Sequence, residues 1–154
     1  MREIFTFAYF SADQVFKHMG SGHSEAVYEA CLALELQGYK SEFLSRQVPC
    51  TLRYKGHAVG VGYIDILFGN VPIEIKAVAK LTPKDEQQVR KYLEALDLDY
   101  GLLINFGNHL EFVEVERNPG ILTVPFPLSK EESISLKETW EKGVDHGKTP
   151  STED

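Results

Sequence analysis

The chain lacks most of the features that mark secreted, membrane-bound or zinc-finger proteins. It has only two cysteines, Cys31 and Cys50, without metal-ligand spacing, which is typical of core residues in a protein of a reducing compartment. No apolar run is long enough to span a membrane, and the N-terminus has no signal-peptide pattern. We therefore expect a cytoplasmic protein without a membrane partner.

Positive charge, paired metal ligands and phosphate-binding loops are also scarce. The formal net charge is −7, whereas nucleic-acid-binding domains are usually basic, although the distribution of charge can override the total. The five histidines have no metal-ligand spacing, and no glycine-rich loop of the kind that cradles phosphates is present. Composition alone therefore gives no support to a histidine metal site or to nucleic-acid binding.

What the chain does contain is the material of one globular domain. With 154 residues, 43% of them hydrophobic and 25% charged, it can form a single core. Periodicity predicts a helix, three antiparallel strands, a second helix and two more strands, an α/β (α+β) sheet with flanking helices. We assign residues 1–118 to this domain and residues 119–154 to a proline-containing C-terminal extension, which we expect to be partly disordered.

The most informative stretch, residues 61–77, predicts a β-hairpin. Its two apolar runs flank the dipeptide Gly69-Asn70, which is typical of a two-residue turn. Three charged residues interrupt the apolar runs: Asp65, Glu74 and Lys76. Strands this apolar are normally covered on both sides, so buried charges there need an explanation.

The length of the turn decides where these charges lie. With a two-residue loop, Asp65 lies directly opposite Glu74, at a Cβ separation of about 4.5–5.5 Å, and Lys76 shares their face. Two carboxylates that close favour a cation between them, and Mg²⁺ fits because it takes one or two carboxylates and keeps several waters. A loop of odd length would put the two acids on opposite faces. A solvated charged face is the common interpretation of one such charge, and three charges that converge on one face of an apolar hairpin disfavour it.

Helices are expected before and after this hairpin. The first covers about residues 24–37 and ends at Gly38, and the second begins after the cap residue Thr82. On the first helix, Glu25 suits the positive end of the helix dipole, which is its simplest explanation. The apolar stripe predicted for the first helix consists of Ala26, Val27, Ala30, Cys31 and Leu34.

Several short motifs, in a fixed order, resemble one protein family. The segment Gly22-His23-Ser24-Glu25-Ala26-Val27-Tyr28 resembles the pattern that names the GxxExxY proteins. The motifs that follow are Glu35-Leu36, Gln47, Tyr54-Lys55-Gly56, Asp65, Glu74-Ile75-Lys76-Ala77, Gln88 with Tyr92-Leu93, and residues 101–107. The resemblance covers roughly residues 12–115. That family is grouped with the PD-(D/E)XK nuclease superfamily, whose restriction-endonuclease-like core of helix, three strands, helix and strand agrees with the predicted order.

The resemblance implies a metal-dependent nuclease that acts on nucleic acid, DNA in the first place. Asp65 and Glu74 would ligate Mg²⁺, for which Mn²⁺ could substitute, and Glu25 would reach the metal from the first helix. Lys76 would position or activate the attacking water and steady the charge on the phosphate. Gln88 would contact the site from the second helix. Nuclease folds of this size often work as dimers, so a homodimer is also implied as possible.

The chain departs from the family pattern at two positions. Asp65 is preceded by Ile64, where the name of the superfamily has a proline. Relatives often carry a histidine three residues before the helix glutamine, and this chain has Asp85 there, so the resemblance assigns no role to that position.

Two other functions stay open from the sequence. The first is a catalytically silent module that keeps the nuclease fold and binds nucleic acid or a protein partner. The acidic balance and the proline-containing tail favour it, whereas the intact set of acids, lysine and glutamine disfavours it. The second is a metal-dependent hydrolase of a small phosphorylated substrate, for which no phosphate-cradling loop is present.

Overall fold

Three helices and five strands make up the part of the chain that the computed structural model describes, residues 2–118 and Glu138. The elements are α1 (Arg2–Met19), α2 (Glu25–Lys40), a short 3-10 turn (Ser41–Phe43), β1 (Leu44–Tyr54), β2 (His57–Phe68), β3 (Val71–Lys76), α3 (Pro83–Leu96), β4 (Tyr100–Phe106) and β5 (Leu110–Glu116). From α2 onward, the predicted succession of helix, three strands, helix and two strands is confirmed, and α1 precedes it as an additional helix. The C-terminal extension proposed for residues 119–154 lies, apart from Glu138, outside the described residues.

The strands form one mixed sheet in the order β1-β2-β3-β4-β5. All neighbouring pairs are antiparallel except β3 and β4, which are parallel. A parallel pair needs a crossover connection, and α3 provides it between β3 and β4. The fold is therefore α+β, with helices on a mixed sheet, as expected.

The predicted hairpin register is confirmed for three residue pairs, as far as Ile66 and Ile73, and the predicted pairing of Asp65 with Glu74 lies beyond the end of this ladder. Phe68 pairs with Val71, and Ile66 pairs with Ile73, which leaves Gly69-Asn70 as a two-residue turn. Gly69 has a φ of 63°, a left-handed conformation that glycine adopts without steric cost, as the first turn residue of such a hairpin requires.

Helices cover both faces of the sheet. The larger core cluster lies between α1, α2 and the sheet and includes Tyr28, Leu32, Ile66, Ile73 and Phe106. A smaller cluster lies under α3 and consists of Val89, Leu93, Leu103, Val113 and Val115. Because both faces are covered, β3 is buried along nearly its whole length, and Glu74 is a charged residue inside such a strand.

The buried face of α2 differs from the predicted stripe. Tyr28, Leu32 and Leu36 are buried together with Glu29, whereas Leu34 is 70% exposed. The prediction was wrong because the buried face includes a glutamate, which made it look polar in the sequence. The apolar residues of this face, Tyr28, Leu32 and Leu36, recur every four residues, as on one side of a helix. The helix also continues through Gly38 to Lys40 instead of ending there.

The two cysteines are both free, and Cys50 is buried whereas Cys31 is only partly covered. Within residues 2–118, no helix combines the length and the apolar character that crossing a membrane requires.

Candidate active site

The regular pairing of the sheet is interrupted at Gln47 and Asp65. The ladder between β1 and β2 passes from Arg46 paired with Ile66 to Val48 paired with Ile64, without the two residues between them. Gln47 has a φ of 49°, a region that residues other than glycine rarely adopt. Asp65 is therefore free of the ladder on this side.

Strand β2 also packs against different helices before and after Asp65. Ile66 belongs to the cluster under α1 and α2, whereas Ile64 packs with Cys50 and with Tyr92 of α3. On the other side, the pairing of β2 with β3 ends at Ile66. The Asp65 carboxylate completes the edge of β3 instead, since its Oδ2 accepts a hydrogen bond from the Ile75 N–H at 2.9 Å. Asp65 thus lies at the fork where β2 and β3 part.

Glu74 is the buried acid of this fork. It is 5% exposed, and its Oε2 is buried without a hydrogen-bond partner among the described residues. Burial, and next the negative charge of Asp65, raise the pKa of Glu74 to about 8 against the opposing charge of Lys76. Burial also raises the pKa of Asp65, while the hydrogen bond from Ile75 lowers it. The site therefore holds two carboxyl groups that resist being ionised together.

Lys76 lies between Glu74 and α3. Its Nζ is 3.7 Å from Glu74 Oε1 and 3.9 Å from Asp85 Oδ1, and it donates a hydrogen bond to Gln88 Oε1 at 3.1 Å. Gln88 Nε2 in turn donates to the Tyr92 hydroxyl at 3.1 Å. The lysine is therefore held by side chains from two elements.

The start of α3 positions Asp85, one of the side chains beside Lys76. Thr82 caps the helix, as predicted, and its backbone N–H donates to Asp85 Oδ2 at 2.8 Å. The same Asp85 side chain turns its Oδ1 toward Lys76. Asp85, to which the sequence assigned no role, therefore fixes the helix start and contributes a negative charge beside the lysine.

Glu25 stands at the first position of α2, where it is exposed. Its negative charge contributes to the raised pKa values of both Asp65 and Glu74, as the last of the causes. Glu25 thus influences both carboxyl groups through its charge.

Three residues at the fork were not assigned a role from the sequence: Glu29, Arg46 and Gln47. Glu29 is 6% exposed, its Oε2 accepts hydrogen bonds from Arg46 Nε at 3.1 Å and Nη2 at 2.7 Å, and its Oε1 accepts one from Gln47 Nε2. Gln47 Nε2 also donates to Asp65 Oδ1 at 3.3 Å. A signal existed in the sequence, because Glu29 lies four residues after Glu25 and so on the same side of the helix.

Among residues 2–118, no three acid, histidine or cysteine side chains form a group that could hold a metal ion. Glu25, Asp65 and Glu74 are therefore not a ready three-acid cluster. A hard divalent cation that keeps its waters needs only one or two carboxylates, and the unpartnered Oε2 of Glu74 beside Asp65 is an oxygen donor of the required kind. The donor set fits such an ion.

Comparison with known proteins identifies one family. The family model that matches the chain is that of the PD-(D/E)XK nuclease superfamily, over residues 3–118, which is nearly the whole span from α1 to β5. No curated protein and no solved structure matches the chain.

Proposed function

The chain belongs to the PD-(D/E)XK nuclease superfamily, and we propose that it is a Mg²⁺-dependent nuclease that hydrolyses phosphodiester bonds of nucleic acid, DNA in the first place. The observation that carries the proposal is the environment of Glu74. A buried carboxyl with an unpartnered oxygen, between a second carboxyl and a lysine, costs folding free energy and suits a cation. The order of the short motifs favours the GxxExxY family within the superfamily.

Asp65 and Glu74 would hold the ion. Mn²⁺ would serve as well, because carboxylate and water ligands suit both metals. Glu25 would be a third acid that attracts the ion through its negative charge, which also contributes to the raised pKa values of both carboxyl groups. When bound, the ion would stabilise the negative charge that develops on the phosphate.

Lys76 would act on the water and the phosphate. One of its three N–H groups is directed to Gln88, which leaves donors for an attacking water or a phosphate oxygen. Attack of water forms a new P–O bond, breaks the bond to the leaving sugar oxygen and releases a proton. The barrier to this reaction lies mainly in charge and positioning, which a lysine fixed from two sides provides.

The distribution of charge supports a nucleic-acid substrate despite the acidic total. Residues 44–64, which include β1 and most of β2, contain Arg46, Arg53 and Lys55 and no aspartate or glutamate. A groove of about 580 Å³ between β1 and α3 is lined by Arg53 and Lys91, together with Glu94. Arg46 is paired with Glu29, so the remaining cations of this region and of the groove are the ones that phosphates would contact.

A catalytically silent module that keeps the fold is the second candidate. Val59, Val61 and Tyr63 on β2 are each more than half exposed, which suits a protein partner or a second copy of the chain. In this case, the metal site would be retained without cleavage.

Cleavage assays test the proposal directly. The parent, Glu74→Gln and Lys76→Ala are incubated with single-stranded and double-stranded DNA and with RNA, in Mg²⁺ or Mn²⁺. We expect the parent to cleave and both variants to lose cleavage while remaining folded, since Glu74→Gln keeps the size of the side chain and Lys76 lies outside the hydrophobic core clusters. Glu42→Gln, which changes an exposed acid, is the matched control and should cleave normally. Binding of nucleic acid by the parent without any cleavage would favour the silent module.

A further inference from the structure

We infer that Glu29 and Gln47 form a positioning relay that orients the Asp65 carboxylate for the metal ion. The inference rests on the proposed metal site and extends it to two residues that do not themselves ligate the ion. It stands on three observations: the contacts of Glu29, the chemistry of the Gln47 amide and the backbone of Gln47.

Glu29 is a buried charge that uses both of its oxygens. Arg46 occupies Oε2 with two hydrogen bonds and offsets the negative charge. An ion pair that served only to stabilise the fold would be complete at this point. The second oxygen, Oε1, instead accepts a hydrogen bond from Gln47, which extends the contact from α2 toward β2.

The Gln47 amide lies between two carboxylates. Ionised carboxylates only accept hydrogen bonds, so the NH₂ group must face both of them, and the orientation of the amide is fixed by its partners. One N–H is directed to Glu29 and the other to Asp65 Oδ1. Gln47 thus holds Asp65 with a neutral donor at a position where a carboxylate would repel it.

Asp65 is held from both neighbouring strands. Gln47 of β1 donates to Oδ1, and the Ile75 N–H of β3 donates to Oδ2. Each oxygen keeps a further lone pair for a ligand, while the two donors restrict rotation of the carboxylate about its bond. The two donors therefore define one orientation of Asp65.

The backbone of Gln47 points to the same role. Its φ of 49° costs free energy for a residue with a side chain, and glutamine is not among the residues that tolerate this region best. Asparagine would adopt it more readily. The contacts of the longer side chain, rather than a backbone preference, account for a glutamine at this position.

The test measures Mn²⁺ affinity by titration calorimetry and the metal-free melting temperature of the same samples. Gln47→Met removes both donors at similar size and is expected to weaken Mn²⁺ binding roughly 10- to 100-fold, the usual effect of losing a partner that orients a metal ligand. Gln37→Met, at an exposed position of α2, is the matched control and should bind as the parent does.

Gln47→Asn separates positioning from folding. Asparagine tolerates the left-handed backbone, so we expect the variant to fold, but its shorter amide cannot reach both carboxylates. We expect the same loss of Mn²⁺ affinity, and this variant decides the matter if Gln47→Met does not fold. Mn²⁺ binding by Gln47→Asn within about twofold of the parent would overturn the relay. A parent that binds no Mn²⁺ would overturn the proposed function as well, which is a different outcome.

Discussion

Lys76, the last residue of β3, donates a hydrogen bond from its Nζ to Oε1 of Gln88 on α3 at 3.1 Å. Gln88 is itself anchored, because its Nε2 donates to the Tyr92 hydroxyl, which donates to the Tyr63 carbonyl at 3.1 Å. The ammonium group is therefore connected through two side chains to the backbone of β2, the strand that carries Asp65. The cation and the carboxylates of the site are positioned by the same strands.

Replacing Gln88 should release the lysine. We expect Gln88→Ala to lower kcat by about tenfold or more with little change in KM, because small displacements of a catalytic group cost up to about 10²-fold in rate. Gln88 is only partly buried, so the melting temperature should change little. Gln87→Ala, an exposed neighbour, is the control in single-turnover and steady-state assays. Equal kcat values for the two variants would contradict the role given to this hydrogen bond.

The pKa of Glu74 predicts how the metal-free protein responds to pH. Its value in the fold, about 8, lies above its ordinary value of 4.5, mainly through burial. Between these values, the folded chain holds a proton that the unfolded chain has lost. The free energy of unfolding therefore falls as the pH rises through this window, and the contribution is complete only below about 4.5.

Glu74→Gln should remove this dependence. In the presence of a chelator, the variant and the parent should have similar stability near pH 5, and at pH 8 the variant should be more stable by at least about 1 kcal/mol, or roughly 4 °C in Tm. Thermal melting from pH 5 to pH 8 measures it, with Glu42→Gln as the exposed control. If Tm depended on pH in the same way in the parent and in Glu74→Gln, Glu74 would not be the source of the pH dependence.

The groove between β1 and α3 predicts a salt-dependent contact with the substrate. Arg53→Ala and Lys91→Ala should each weaken nucleic-acid binding for every sequence and reduce the slope of log K against log salt by about one. Fluorescence anisotropy at several salt concentrations measures this. Lys17→Ala removes an exposed cation of α1 and should leave the slope unchanged. A slope equally unaffected in all three variants would mean that phosphates do not lie in this groove.

The parts of the site that obey local rules could be predicted from the sequence. The turn at Gly69-Asn70 and the two-residue period of strands bring Asp65 near Glu74, although the pairing of β2 with β3 ends one residue earlier, at Ile66 and Ile73. The four-residue spacing of a helix brings Gln88 to Tyr92. Each of these relationships depends on residues close together in one element or hairpin. Turn chemistry and periodicity are enough to determine them.

The parts that depend on packing between elements could not be predicted. Glu29 on α2 meets Arg46 and Gln47 on β1, and no periodicity within either element reveals such a contact. The buried face of α2 was predicted wrongly for the same reason. A charged residue on a core face is uncommon, so the predicted face included Leu34 and excluded Glu29. The interruption of the ladder lies at the same residue, Gln47.

The central claim is that Asp65 and Glu74 bind a divalent metal ion, and thermal melting near pH 8 with and without Mg²⁺ or Mn²⁺ tests it most directly. A ligand that binds only the folded state adds about 2.7 kcal/mol of stability at a hundred times its dissociation constant. We expect metal to raise the Tm of the parent and of Glu42→Gln and to leave that of Asp65→Asn unchanged. A parent that does not shift with either metal, or an Asp65→Asn variant that shifts as much as the parent, would contradict the claim.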